Sequence, residues 1–138
     1  MWPFVTNTTS AIEFVMLITC VLMGASHVVQ PRIWSAFFEQ LREKGVAGLV
    51  ANSFINSVPG AVIVALHQVW AGPAVLLTMF GWLLLIKAAI GLWLPAVGLR
   101  SLNLSRHGDT AFRAAGVGLL VVALGCALQL GGVLVPAG

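Results

Sequence analysis

From Ala11 to Val29 the chain is apolar with few breaks, at Glu13, Thr19, Ser26 and His27. Three further runs of the same kind follow, at about 47–70, 73–94 and 114–135. A helix needs ~20 apolar residues to cross the hydrocarbon core of a bilayer, and all four runs meet that length. Backbone groups in lipid must bond to one another, and these runs are continuous where a membrane strand would alternate, so helices are expected and a β-barrel is not. Between the first two runs the period changes. Trp34, Phe37, Phe38 and Leu41 recur at helical spacing, while Arg32, Glu39, Arg42 and Glu43 fall elsewhere around the wheel. That pattern predicts a short amphipathic helix over about 32–44, lying in the headgroup plane and serving as an anchor. Pro31 suits its first turn and Gly45 its end. The expected fold is an all-α membrane protein: one integral domain of four transmembrane helices, with a short interfacial helix between the first and second.

Composition sharpens this picture. Only 8% of the 138 residues are charged and 59% are hydrophobic, against roughly 25% charged in a soluble domain. A water-soluble surface, a disordered chain and a nucleic-acid binder are excluded on that ground. Met1–Thr9 carries no Lys or Arg, so the first run does not read as a cleaved signal peptide. Ser10 and Glu13 have the spacing of a capping box, which would start the first helix near Ala11 and give Glu13 a purely local task. Arg32, Arg42 and Lys44 lie in one connection and Arg100, Arg106 and Arg113 in another, whereas both tails and the Ala71–Gly72 turn have none. The positive-inside rule then places both basic connections in the cytoplasm and both termini in the periplasm. Trp2, Trp70 and Trp93 fall at span ends, as aromatic-belt residues do.

With direction fixed, position converts to depth, and two polar groups emerge. His27, Asn52, Ser53, Asn56, Ser57 and Lys87 lie towards the cytoplasmic half, and Glu13, His67, Gln68 and Gln129 towards the outer half. Lys87 is the costliest, at about 2.5–3.5 kcal/mol near a bilayer centre. Side chains lean towards a helix's N-terminus, here away from the nearer water, so Lys87 is expected to face the bundle interior, with Asn52 or Asn56 as acceptors. As a functional group it would be a counter-charge, a proton relay or an anion contact; the plainer alternative is a buried Lys satisfied by amides. On the second span Ser53, Ser57, Ala61 and Ala65 repeat every four residues beside a stripe of Asn52, Asn56 and Gly60, the small-residue pattern of close helix packing. Pro59 removes one hydrogen bond from that helix. On the fourth span Ala114, Gly118, Ala123, Gly125 and Ala127 offer further small faces, and Trp82, mid-span beside Gly81, is expected to pack into a neighbour.

Chemistry is sparse. Cys20 and Cys126 sit inside apolar runs, which suggests neither a disulfide nor a zinc site. No nucleophile elbow, phosphate loop or metal-ligand spacing is present. His27 and His67 lie at opposite depths, so a two-histidine haem site is not expected. No cofactor is expected, a single-His pigment or a haem shared with a partner being what the pattern leaves open. His67 reads most simply as a residue near Glu13 or water, and His107 as a solvated loop residue beside Arg106 and Asp109.

The segment from His67 through Trp70, Gly72-Pro73, Thr78, Gly81-Trp82 and Lys87 to Pro95 resembles a family of small, uncharacterised bacterial integral membrane proteins. Their marks are a His-x-x-Trp turn and a Gly-Trp-x-x-x-x-Lys third helix. The connector Pro31-Arg32-x-Trp34, followed by Phe37 and Phe38, is similar to theirs. The likeness spans roughly residues 24–95, and Gln68 and Ala88 stand where that family has Asn and Gly. It implies a four-helix inner-membrane protein, singles out His67, Trp70, Trp82 and Lys87, and supplies no activity. The functional expectation is a non-enzymatic subunit packing against a larger membrane complex of respiratory or photosynthetic type. A small homo-oligomeric transporter or channel built on Lys87 and the Asn pair, and a pigment or haem carrier using His67 or His27, are the alternatives. The lipid bilayer is the one partner common to all three.

Overall fold

A computed structural model describes residue 3, residues 5–104 and residues 108–134, with the backbone alone given at 103, 104, 133 and 134. Trp2, Arg106, His107 and the predicted end of the fourth span at Val135 lie outside those residues. Six helices follow in order: α1 (Thr8–Val29), α2 (Pro31–Glu43), α3 (Val46–Leu66), α4 (Val75–Trp93), α5 (Pro95–Leu104) and α6 (Gly108–Leu134). Of these, α1, α3, α4 and α6 are each long and apolar enough to cross a membrane, the mark of a multi-pass membrane protein. At ~1.5 Å per residue α1 is about 33 Å long, close to the hydrocarbon thickness of a bilayer.

Several boundaries depart from the sequence expectation. The first helix starts at Thr8, because Asn7 is its cap: Asn7 Oδ1 accepts from the Ser10 amide at 2.9 Å and Ser10 Oγ accepts from the Asn7 amide at 3.1 Å. Ser10 therefore closes the box from its far end and Glu13 takes no part in capping. The second long helix stops at Leu66, four residues short of Trp70, with His67 in extended backbone. The fourth begins at Gly108 rather than near Ala114, and α5, which the apolar pattern did not mark, fills most of the third connection. Pro95 opens α5 in the first-turn position that proline favours. Between α2 and α3, Gly45 has φ +56°, a left-handed turn that costs a residue without Cβ little.

The long helices pack as two antiparallel pairs, α1 with α6 and α3 with α4, and the pairs touch each other far less. Glycines set both close approaches. A Cβ at Gly24 would lie 2.9 Å from the Gly116 carbonyl oxygen, and one at Gly116 would lie 2.7 Å from that of Gly24. Across the other pair a Cβ at Gly60 would lie 3.1 Å from the Gly81 oxygen, one at Gly81 would collide with Ile63, and one at Gly91 with Ser53.

The face that α3 buries is thus Leu49, Asn52, Ser53, Gly60 and Ile63. Ser57 is only half-buried, and Ala61 and Ala65 are exposed, so the predicted four-residue stripe is not the packing seam. The reason is arithmetic. At 3.6 residues per turn a four-residue repeat drifts about 40° per step, and by Ala65 it has left the face on which Ser53 sits. Trp82 is likewise corrected: it is 41% exposed, while its neighbour Gly81 makes the contact. On α6 the packing residues are Gly116, Ala123 and Gly125, whereas Ala114, Gly118 and Ala127 are exposed.

Candidate functional site

Two polar sites occupy opposite ends of the bundle. At the end carrying the α3–α4 turn, Glu13 of α1, His67 at the foot of α3 and Thr78 of α4 meet in a buried chain. His67 and Thr78 are fully buried and Glu13 nearly so. His67 Nε2 lies 3.1 Å from Glu13 Oε1, and Nδ1 lies 2.9 Å from Thr78 Oγ1. Thr78 Oγ1 also accepts from the Val69 amide at 3.2 Å and donates to the Val69 carbonyl at 2.8 Å.

Hydrogen positions follow by counting. The 2.8 Å oxygen–oxygen contact needs a hydrogen between the atoms, and Thr78 has only one. Its bond to His67 must then run the other way, with Nδ1–H donating to Oγ1. Nε2 and Glu13 consequently share a single proton, either as imidazolium and carboxylate or as imidazole and carboxylic acid. Both forms are neutral overall, which is what a dry, apolar setting requires. With both nitrogens engaged, His67 offers no lone pair to an iron or magnesium ion. The arrangement ties α1 to the α3–α4 turn, and Thr78 fixes the extended residues 67–70 in place of further helix.

Trp70, grouped with Glu13 and His67 on depth, stands apart from them. It is 61% exposed and donates to Gln68 Oε1 at 3.1 Å.

The second site lies towards the end carrying α2 and α5. Between the two helix pairs is a cavity of about 750 Å³, within the ~300–1,000 Å³ usual for small-molecule sites. Its walls are mostly apolar, with Met16, Met79, Phe80, Leu83 and Leu119 among them. Its polar lining is Thr19, His27, Asn52, Asn56, Lys87 and Ser101. A smaller cavity of about 350 Å³ between α3, α4 and α5 shares Asn52, Lys87 and Ser101 with it. Of the six residues that depth had grouped, the structure brings His27, Asn52, Asn56 and Lys87 to the larger cavity, while Ser53 lines the smaller one and Ser57 lines neither.

It does not join them by the expected bonds. Asn56 Nδ2 donates to the Asn52 carbonyl at 2.6 Å and reaches Asn52 Oδ1 at 3.3 Å, so the amides serve each other. Lys87, expected to face the bundle interior, is instead exposed along the open side of the cavity, and it has no hydrogen bond or ion pair among the described residues.

His27 donates from Nδ1 to the Met23 carbonyl at 2.7 Å and stacks on Trp34 with ring centroids 3.9 Å apart. Trp34 in turn donates to Ser26 Oγ at 3.0 Å, and Phe38 lies against Phe112 at 5.5 Å. The apolar face of α2 is thereby spent in part on this aromatic floor: Leu41 is buried and Trp34 and Phe38 partly so, while Phe37 and Ile33 are exposed.

Thr78, which the sequence marked only within the family resemblance, and Ser101 are the side chains of the two sites whose part sequence reasoning did not foresee. A signal for Thr78 existed. His67 stands five residues before Gly72 and Thr78 five after Pro73, and positions so placed about a tight turn face each other in an antiparallel hairpin. Ser101 had no such signal, since α5 itself was not foreseen.

Acidic partners are fully accounted for. The chain has four acidic side chains. Glu13 is taken by His67, Glu39 pairs with Arg42, Asp109 lies 3.6 Å from Arg32, and Glu43 is exposed at the end of α2. None lines either cavity. Among the described residues no group of three or more His, Cys, Asp or Glu is placed to hold a metal ion. No family model, curated protein or solved structure matches the chain.

Proposed function

We propose that this is a non-enzymatic anion-binding carrier of the bacterial inner membrane, with its site at Lys87, Asn52 and Asn56. One observation carries the reading: a lysine on a membrane-crossing helix lines a mostly apolar, open-sided cavity between the helix pairs, and every acidic group of its own chain is elsewhere. An ionisable side chain at such depth is expensive and is retained where a pathway or ligand uses it. The amides and Ser101 add neutral hydrogen-bonding capacity around a single positive charge, the composition of a site for a monovalent anion. In this reading the six basic residues of the two connections face the cytoplasm, α2 lies at that membrane surface, and both termini are periplasmic.

Proteoliposomes loaded with a monovalent organic anion test the proposal. Saturable efflux through the wild-type protein should fall by about tenfold or more in Lys87→Met, the loss expected for one charge-assisted hydrogen bond. Equal efflux from both proteins overturns it.

A second reading, a subunit of a larger membrane assembly, draws on Trp82. Tryptophan favours the headgroup level of a bilayer, yet Trp82 sits mid-helix on α4 with 41% of its surface uncovered. A protein neighbour would supply the cover that lipid tails give poorly. Stoichiometric co-purification of a larger complex in mild detergent, lost in Trp82→Ala, is the result that favours it.

A further inference from the structure

The cavity holding Lys87 extends well beyond what a small anion needs. Along α4 its lining runs from Lys87 to Leu76, a rise of about 16 Å. Most of the polar side chains, Lys87, Asn52, Asn56, Ser101 and His27, line the half nearer α2 and α5, and Thr19 stands on the α1 wall beside Cys20. Towards the turn the walls become Met16, Cys20, Leu76, Met79, Phe80 and Val122, with no charge among them. At the ~30 Å³ that a water occupies in the liquid, 750 Å³ corresponds to about 25 non-hydrogen atoms. Such an open-sided space, charged at one end and largely apolar over the rest of its length, is matched by one molecule with the same division.

We infer that the ligand is a single-chain amphiphile with a monoanionic head, the head on Lys87 and the chain running between the helix pairs towards the α3–α4 turn. The inference rests on the anion-site reading above and gives it a substrate class. A long-chain carboxylate and a single-chain phosphodiester share the head chemistry, one negative charge and several acceptor oxygens. One lysine suits these better than a phosphomonoester, whose charge is ≈ −1.5 to −2 at pH 7.

The test uses the purified full chain in detergent, stripped of co-purified lipid and titrated with defined probes while tryptophan fluorescence and native mass spectra are recorded. The probes are an eighteen-carbon fatty acid, the alcohol of equal length, lysophosphatidylglycerol and hexanoate. The expected result is one acid bound per chain, with the alcohol about tenfold weaker or worse, and with Lys87→Met reducing the acid to the alcohol's affinity while Lys87→Arg retains it. Met79→Trp, which adds bulk at the apolar end of the cavity, should weaken the eighteen-carbon acid more than hexanoate. Tighter binding of lysophosphatidylglycerol than of the acid would assign the head as a phosphodiester within the same class. Equal binding of acid and alcohol overturns the inference. So does Lys87-dependent binding of hexanoate as tight as that of the long acid, a result that leaves the anion site standing. Absence of any Lys87-dependent binding removes both.

Discussion

Glu13 and His67 hold one proton between Oε1 and Nε2, and the substitutions that keep or lose that proton are expected to separate cleanly. Glu13→Ala leaves a buried imidazole facing nothing and should cost about 3 kcal/mol, the lower range for breaking a buried pair. Glu13→Gln supplies an amide N–H to the Nε2 lone pair that Nδ1–H leaves available, and should cost about 1 kcal/mol. Unfolding of the two variants in mixed micelles with increasing denaturing detergent measures the difference. Equal losses would show that the carboxyl matters for something other than that hydrogen bond. The sequence placed Glu13 and His67 at one depth and suggested the cap at Ser10 for the former. Asn7–Ser10 and Ser10–Glu13 have the same three-residue spacing, so local pattern alone could not choose between them. What decided was a partner 54 residues away. Lys87 shows the converse: the company of Asn52 and Asn56 was legible, but neither its exposure nor its lack of a bond to them was, since Asn56 turns back onto Asn52.

At the scale of the helices, small residues matter only where two backbones meet. Gly116→Val should destabilise by about 1–3 kcal/mol, since the added carbons meet the Gly24 carbonyl and His27. Gly131→Ala, with nothing within 4 Å of the new carbon, should be neutral or slightly stabilising through helix propensity. The same unfolding measurement checks both, and a tolerant Gly116→Val would mean that α1 and α6 do not approach as closely as described. The four long helices were readable because length and continuous apolarity are enough to specify them. Their seams were harder to read, because almost every position on such a helix is apolar and pattern cannot tell a lipid-facing side from a packed one. Only glycine spacing on both partners marks the α3–α4 seam, and Gly60, Gly81 and Gly91 carry it. Helix α5 escaped notice because ten residues of mixed polarity show neither a span's length nor a clean stripe.

For the molecule as a whole, the proposed orientation makes a direct prediction about access. Lys44 lies just past α2 and Ala71 in the α3–α4 turn, and both are exposed; the native Cys20 and Cys126 are buried. In intact cells a membrane-impermeant thiol reagent should label Ala71→Cys readily and Lys44→Cys only after permeabilisation. The reverse pattern would invert the molecule and with it the side from which an anion reaches Lys87.

Pairing of α1 with α6 also bears on how the protein is made. The contact between Gly24 and Gly116 joins the earliest helix to the latest, about ninety residues apart, or roughly 5–18 s of translation at 5–20 residues per second. During that interval the hairpin of α3 and α4 can form, while the leading segment remains single in the bilayer beside the ribosome. A chain ending after Leu104 should accordingly be a substrate for membrane proteases, and co-expression of the missing segment as a separate polypeptide should rescue it.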